Sequence, residues 1–407
     1  MKQNFPIIDK MLTVTLFSFA VSSMFSISIS QVSAGIGGFL WLARTHLTKA
    51  WEEQRWPLGI PVLLFALASL LAVADAYDVS HSYKSLKKLL EFLIFFWVLN
   101  CVRENNLRDS LSLVLIASAT LAGLFGLYQY WQDLGQTVST ESANRPEGNL
   151  STYMTFAGLL MLVGVLALAR VIFQKPMQRW VWASIGIITL ALLLTLTRQA
   201  WLGFFIGSVF LVFVWRKKML LLFPIILLVG YIASPLPAQN RINTMFSGKD
   251  RTFETRTNLW QVGWEVFKDY PLTGCGFRCV DLVNNQYPDP LYEKTHDLHR
   301  AVKYLRGMHN NFMQLAVDTG ILGLTAWLGI WVCFFRLLYH RAKAIKRDPQ
   351  ERWAIYGSAA AVLAFLVGGF FESNLYDSEV AMVLYFIMAL PFSGTQNNPI
   401  LSKHNIS

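Results

Sequence analysis

The chain has 407 residues, 54% of them apolar, and a mean hydropathy of +0.41. The length alone would allow two or three soluble domains, but this composition argues against them and for a protein built from membrane spans. The net charge of +10 calls for no nucleic acid, because most of it sits on short connections between apolar runs, where it sets topology and attracts anionic lipid.

Crossing the hydrocarbon core takes about 20 largely apolar residues. By that measure twelve runs stand out, near 11–29, 31–44, 58–76, 84–102, 110–131, 152–173, 181–197, 199–216, 218–234, 318–338, 353–371 and 378–393. The predicted fold is an all-α polytopic membrane protein with about twelve transmembrane helices. The first two runs are short, and Ser, Gln and Gly near 28–38 suggest a broken pair. No A-x-A-like site follows the first run, so the N-terminus is not read as a cleavable signal peptide.

With the N-terminus inside, 20 of the 35 basic residues fall on cytoplasmic segments, including Arg44, Arg103, Arg170 and the group from Arg336 to Arg352. Only Lys84, Lys87, Lys88, Arg145 and Arg198 lie in short outer segments. The other ten belong to one polar loop, roughly Ala238 to Met308, which is too long for the positive-inside rule to govern. This assignment puts that loop outside, between the ninth and tenth spans. Residues 1–234 then form an N-terminal membrane region of about nine spans, 235–308 the outer loop, and 309–407 a C-terminal region of about three spans. The cytoplasmic connections are short and hold no Walker-type loop, which argues against a nucleotide-binding domain there.

Two outer segments are long enough to carry function: 133–151 and the loop. Within the loop, "RTNLWQVGWEVFKDYP" (256–271) predicts an amphipathic helix stopped by Pro271. Trp260, Trp264 and Phe267 recur at helical spacing on one face, which suits either the lipid headgroup region or the core of a small loop domain. Cys275 and Cys279 would pair only in an oxidising compartment, and a spacing of four on a helix does not favour the bridge. "PLTGCGF" (271–277) places Gly274 and Gly276 in a turn whose N–H groups suit phosphate oxygens. "HDLH" holds His296, Asp297 and His299 but no further acid or cysteine to complete a zinc set, so no metal site is expected.

Arg198 lies in "TLTRQAWLGFF" between two apolar runs with almost no loop. An arginine there either snorkels from a tight turn or faces a partner, and its planar fork suits a phosphate in bidentate geometry. Arg145, Arg251 and Arg256 add outward guanidiniums; singly they read as solvated charges, together as a patch able to grip a pyrophosphate. His309 stands where the loop re-enters an apolar run, followed by Asn310 and Asn311. A lone histidine is commonly a hydrogen-bonded structural group, but at a water boundary a neutral imidazole is well suited to take a proton. Glu372 and Asp377 flank the last outer turn, where one acid could orient the histidine or hold an arginine.

"TLTRQAWLGFFIG" (195–207), "RTNLWQVGWEVFKDYPLTGCGF" (256–277) and "HNNFMQLAVDTGILGL" (309–324) resemble the membrane core shared by O-antigen ligases and Wzy-type O-antigen polymerases, as does "RPEGNLSTYMTFAGLL" (145–160). The motif resemblance covers about 145–325. It implies a metal- and nucleotide-independent glycosyltransferase in a bacterial inner membrane, active at the periplasmic face and needing no cofactor. The implied donor is a glycan on undecaprenyl pyrophosphate and the implied acceptor a sugar of lipid A–core, with membrane lipids around both. Arg198, Arg256 and more weakly Arg145 would hold the pyrophosphate. His309 would take the acceptor proton, and Arg251, Gly274, Gly276, Asn310, Glu372 and Asp377 are candidate supporting residues. A polymerase joining repeat units is the alternative. A lipid-linked oligosaccharide transporter fits less well, because transporters place charged or broken-helix residues near the bilayer midplane.

Overall fold

The computed structural model describes residues 5–133, 145–176, 178–246, 250–302, 306–344 and 351–394. Most of the outer segment 133–151, and the charges Lys2, Lys249, Lys303, Lys346, Arg347 and Lys403, lie outside the described residues.

The N-terminal helices are α1 (Pro6–Ser22), α2 (Ile27–Leu47), α3 (Gly59–Ala74), α4 (Val79–Ser82), α5 (Leu93–Cys101) and α6 (Asn105–Asp133). There follow α7 (Tyr153–Phe173), α8 (Arg179–Leu194), α9 (Arg198–Trp215) and α10 (Phe223–Ala233). The polar loop holds α11 (Leu236–Phe246), α12 (Arg251–Asp269), α13 (Val280–Val283) and α14 (Pro290–Thr295). The chain closes with α15 (Asn311–Ala344), α16 (Arg352–Gly368) and α17 (Ser378–Ala389). Every predicted apolar run carries a helix, and the described residues contain no strand. Four helices, α6, α7, α9 and α15, are each long and apolar enough to cross a bilayer. The protein is a multi-pass membrane protein.

Several predicted boundaries move. The first pair is not broken at 28–38: α2 is continuous there, and the break is the turn at 23–26. The small polar residues instead form a seam, with Ser18 bonded to Ser33 at 2.8 Å and Ser22 to Ser30 at 3.2 Å. Small side chains let two helices approach closely, and paired hydroxyls satisfy each other away from water. The fourth run starts as a 3-10 helix over Tyr83–Phe92, and the ninth as one over Lys217–Leu222. The tenth helix begins well before 318, at Asn311, and bends at Gly320, whose φ is +62°.

The core lies where α7, α16 and α17 meet. α7 is buried along most of its length, and α17 is buried throughout. α9 crosses α7 and α16 through Gly203 and Gly207: a Cβ at Gly203 would overlap Met161 Sδ and lie 2.7 Å from the Ala364 carbonyl oxygen. This is the close approach that the small-xxx-small spacing permits. By contrast α10 has no buried residue and presents its aliphatic side chains outward.

Polar groups collect at the two ends of the bundle. At one end Arg108 pairs with Glu351 at 2.7 Å, Arg341 meets the same carboxylate at 3.4 Å, and Arg170 lies 4.2 Å over the Trp353 ring. At the other end are Arg198, Arg256 and His309. The first set comes from connections that the charge bias assigns to one side, the second from segments it assigns to the other.

Gly203→Ala should lower the thermal midpoint of the detergent-solubilised protein, by about 1–3 kcal/mol in stability, because the added methyl has no room. Gly230→Ala in α10, where nothing lies within 4 Å, should leave the midpoint unchanged or slightly raised. Equal midpoints for the two variants would argue against the α9–α16 crossing.

Candidate functional site

The loop folds on α12, which begins at Arg251, five residues before its predicted start, and ends at Asp269, ahead of Pro271. Asp250 caps it, its side chain accepting from Thr252 N at 3.1 Å. Leu259, Val262 and Val266 form its inner face and pack with Val280, Val283, Val302, Met308 and Val317. The predicted aromatic face divides. Trp264 is 51% exposed and stacks on Phe267 at 5.4 Å, whereas Trp260 turns inward and donates its indole N–H to Met308 O at 3.0 Å.

Cys275 and Cys279 are joined in a disulfide, their Cα atoms 5.7 Å apart. The segment is a turn rather than a helix, with Gly276 at φ +96° and Arg278 at +56°, so the helical spacing objection does not apply. The N–H groups of Gly274 and Gly276 do not face an open phosphate site. They donate to Tyr270 O and Asp318 O, both at 3.1 Å, and a Cβ at Gly274 would lie 2.5 Å from Thr319 N. These glycines dock the loop onto the bend in α15.

His309 is fixed from both sides. Before it, Met308 N donates to Gln314 Oε1 at 2.7 Å, and Gln314 Nε2 donates to the buried Asp318 at 3.0 Å. After it, Asn310 caps α15 by accepting from Phe312 N at 2.9 Å and Met313 N at 3.1 Å. Asn311 N donates to Gly369 O at 2.7 Å, which ties the helix start to the end of α16. The imidazole Nδ1 then lies 3.0 Å from Glu372 Oε1, and Glu372 Oε2 lies 3.4 Å from Arg256 Nη2. Burial alone would raise the Glu372 carboxyl. The His309 bond and charge, Arg256 and the Ser373 N–H outweigh it and hold the group below the ordinary glutamate range. An ionised carboxylate only accepts, so Nδ1 donates to it, and Nε2 is the ring nitrogen that Glu372 does not engage.

Arg198 opens α9 directly after the tight turn 195–197. Its fork grips Asp250, Nη2 to Oδ1 at 3.0 Å and Nη1 to Oδ2. Burial pulls the Arg256 guanidinium down, Glu372 lifts it, and the Arg198 charge lowers it again, so an anion between the two arginines would relieve the pair. Two cavities share them. One, of about 280 Å³, is lined by Arg145, Arg198, Arg241, Arg256, Tyr153 and Thr252. The other, of about 640 Å³, is lined by Asp250, Phe253, Glu254 and Phe371 besides the two arginines.

Arg198, Arg256, Arg145, His309 and Glu372 therefore gather at one end of the bundle. Arg145 sits 4.7 Å over the Tyr153 ring. Arg251 is exposed and lines neither of these cavities. Asp377 accepts from Thr155 Oγ1 at 2.5 Å and is engaged with α7, so Glu372 alone of the two acids both orients the histidine and holds an arginine. Asp297 accepts from the His299 N–H at 3.0 Å within a short turn. The sequence reading passed over Arg241, Asp250 and Tyr153. Their only signal was proximity in sequence to arginines already singled out.

Residues 183–328 match the family model described as O-antigen ligase. That stretch contains Arg198, the whole loop, His309 and the bend in α15. The chain is also 24% identical over 363 residues to the exopolysaccharide production protein ExoQ of Rhizobium meliloti (strain 1021), a match that covers 86% of this chain and 80% of the relative.

Glu372 sets a pH dependence whose sign follows from its lowered pKa. The stabilisation is complete above the ordinary carboxylate range and is lost as pH falls through the depressed value. Glu372→Gln should therefore be less stable than the parent at neutral pH, by roughly 1–3 kcal/mol, and the gap should close on acidification. Thermal unfolding in detergent from pH 7 to pH 3 measures it, and a gap that stays constant would contradict the assignment.

Proposed function

We propose, from the O-antigen ligase match over 183–328 and the contacts that His309 and Arg256 of that stretch make with Glu372, that the chain is a membrane glycosyltransferase. It moves a glycan from undecaprenyl pyrophosphate to a sugar hydroxyl of lipid A–core. The observation that carries this reading is the line His309–Glu372–Arg256, at 3.0 and 3.4 Å, beside Arg198. We read the bundle as about twelve crossings of a bacterial inner membrane, with the loop and this site on the periplasmic side.

In the proposed reaction the acceptor hydroxyl gives its proton to His309 Nε2 while its oxygen attacks the anomeric carbon. The bond from that carbon to the pyrophosphate oxygen breaks, and the pyrophosphate leaves with the electron pair. Attack opposite the leaving group inverts the anomeric configuration. Glu372 holds the imidazole in the accepting tautomer and stabilises the imidazolium as it forms. Arg198 and Arg256, with Arg145 and Arg241 around the smaller cavity, take up the charge of the leaving group. The leaving group is already good, so the main tasks are aligning two lipids and activating one hydroxyl. A positioned base contributes about 10²–10⁴-fold.

One observation favours a second acceptor. The similarity to a protein of exopolysaccharide production spans most of the chain, which suits a polymerase passing glycan to another carrier-linked unit. The two readings share the same chemistry and differ in what brings the hydroxyl. Charged residues at the ends of the bundle, rather than at its middle, favour either enzyme over a transporter.

In proteoliposomes with a purified lipid-linked donor, His309→Gln should lose transfer by about 10²-fold or more while the protein stays folded. Near-normal transfer by that variant would refute the base. Arg198→Lys and Arg256→Lys should each lose most activity, because lysine keeps the charge without the fork. A deletion strain distinguishes the acceptors: long glycan left on the carrier with bare lipid A–core marks a ligase, single units still reaching lipid A–core a polymerase.

A further inference from the structure

The arginines and His309 account for the pyrophosphate and the proton. The cleft of about 640 Å³ that opens from the same arginines has no assigned occupant. Its lining sets the apolar Phe253, Phe371, Leu202 and Met245 beside hydrogen-bonding groups, the carboxylates of Asp250 and Glu254 and the side chains of Gln199 and Thr257. Phe253 is 48% exposed, a cost in water that an apolar ligand face would recover.

The two phenylalanines are not loose. Both pack on Trp260, with ring centroids 6.3 Å away for Phe253 and 6.2 Å for Phe371. Trp260 is in turn pinned by its N–H on Met308 O at 3.0 Å. Phe371 immediately precedes Glu372, and Met308 immediately precedes His309. The aromatic group is thus tied to both members of the proton-handling pair, to Glu372 through the chain and to His309 through the Trp260 bond to Met308 O, near where the anomeric carbon has to be. A pyranose has an apolar face of axial C–H groups and a rim of hydroxyls. It suits a rigid aromatic floor edged by carboxylate acceptors. Asp250 is engaged by Arg198 and Glu254 by Arg300, yet a carboxylate has more lone pairs than one partner fills, and the half-exposed Glu254 can still accept from hydroxyls, which a polyprenyl tail does not have.

We propose that Phe253 and Phe371, propped on Trp260, form the floor of a sugar subsite that takes the pyranose attached to the donor pyrophosphate. The proposal rests on the donor reading given above. It assigns Phe253 a positioning role: the pyranose lies on the phenyl face, C1 turned toward the arginines, and its hydroxyl edge meets the lone pairs of Glu254 that Arg300 leaves open.

Two probes test it on the full chain in nanodiscs: undecaprenyl pyrophosphate alone, and the same lipid carrying one hexose. Phe253→Ala should weaken the glycosylated probe by about tenfold and leave the sugar-free probe unchanged. Phe253→Trp should restore the loss and Phe253→Leu should not, because leucine keeps apolar area without a flat face. Phe371→Ala should follow Phe253→Ala. Equal losses on both probes would assign the cleft to the lipid tail and overturn the proposal, as would no loss on either. Arg198→Ala separates the two levels. If it leaves both probes bound as tightly as before, the donor reading itself fails, whatever the phenylalanine variants do.

Discussion

A single carboxylate, Glu372, joins three parts of the molecule that are far apart in the chain. It sits at the end of α16, accepts the His309 bond at the start of α15, and meets Arg256 on α12 of the loop. Removing its charge would leave a guanidinium without a counter-ion and an imidazole without an orienting acceptor in a half-closed site. Buried groups of this kind are expensive unless every partner is present. That expense explains how much of the surrounding architecture serves to hold them in register. Asn310 caps α15, Asn311 ties it to Gly369, and Gln314 and Asp318 grip the backbone on the loop side.

The same economy governs α9. Arg198 is placed at the outer end because α8 and α9 meet in a tight turn. α9 stays upright because Gly203 and Gly207 let it lie against α7 and α16. Trp201 secures the turn by donating to Leu192 O at 2.9 Å. In the "TRQAWLGFFIG" stretch, one residue holds the loop through Asp250, one ties the hairpin and two allow the helices to touch. The motif is therefore a packing element as well as the source of the proposed phosphate fork.

Much of this was legible before the fold was known, for physical reasons. Apolar runs are long because a bilayer is thick, so their number and order survive in the sequence. Arg198 stood out because a charge at the edge of an apolar run is costly and calls for a partner, His309 because an imidazole at a water boundary suits proton transfer, and Glu372 because it flanks the last outer turn. Contacts between distant positions were not legible. Arg256 meets Glu372 across 116 residues and Arg198 meets Asp250 across 52, and no periodicity records such pairs. The Gly-x-Gly turn was misleading because glycine serves close backbone approach as readily as it serves phosphate, and here α15 does the approaching. The aromatic stripe of α12 spans only about 60° of arc, so periodicity alone predicts a shared face; a tertiary contact, the bond from the Trp260 indole to Met308 O, draws one ring in while Trp264 stays out.

On the proposed reading that this site takes a lipid pyrophosphate, the grip of Asp250 on the Arg198 fork, and of Glu372 on Arg256, has a consequence for turnover. A bare arginine pocket would hold a pyrophosphate so firmly that the spent carrier, which has more charge than the glycosylated one, would leave slowly. Here each guanidinium already has an anion, so an arriving phosphate replaces a carboxylate rather than filling a vacuum. The net gain on capture is smaller, and the resident carboxylates compete for the same forks when the carrier departs. The site thereby gives up some affinity for the donor and gains a route by which the spent lipid can leave.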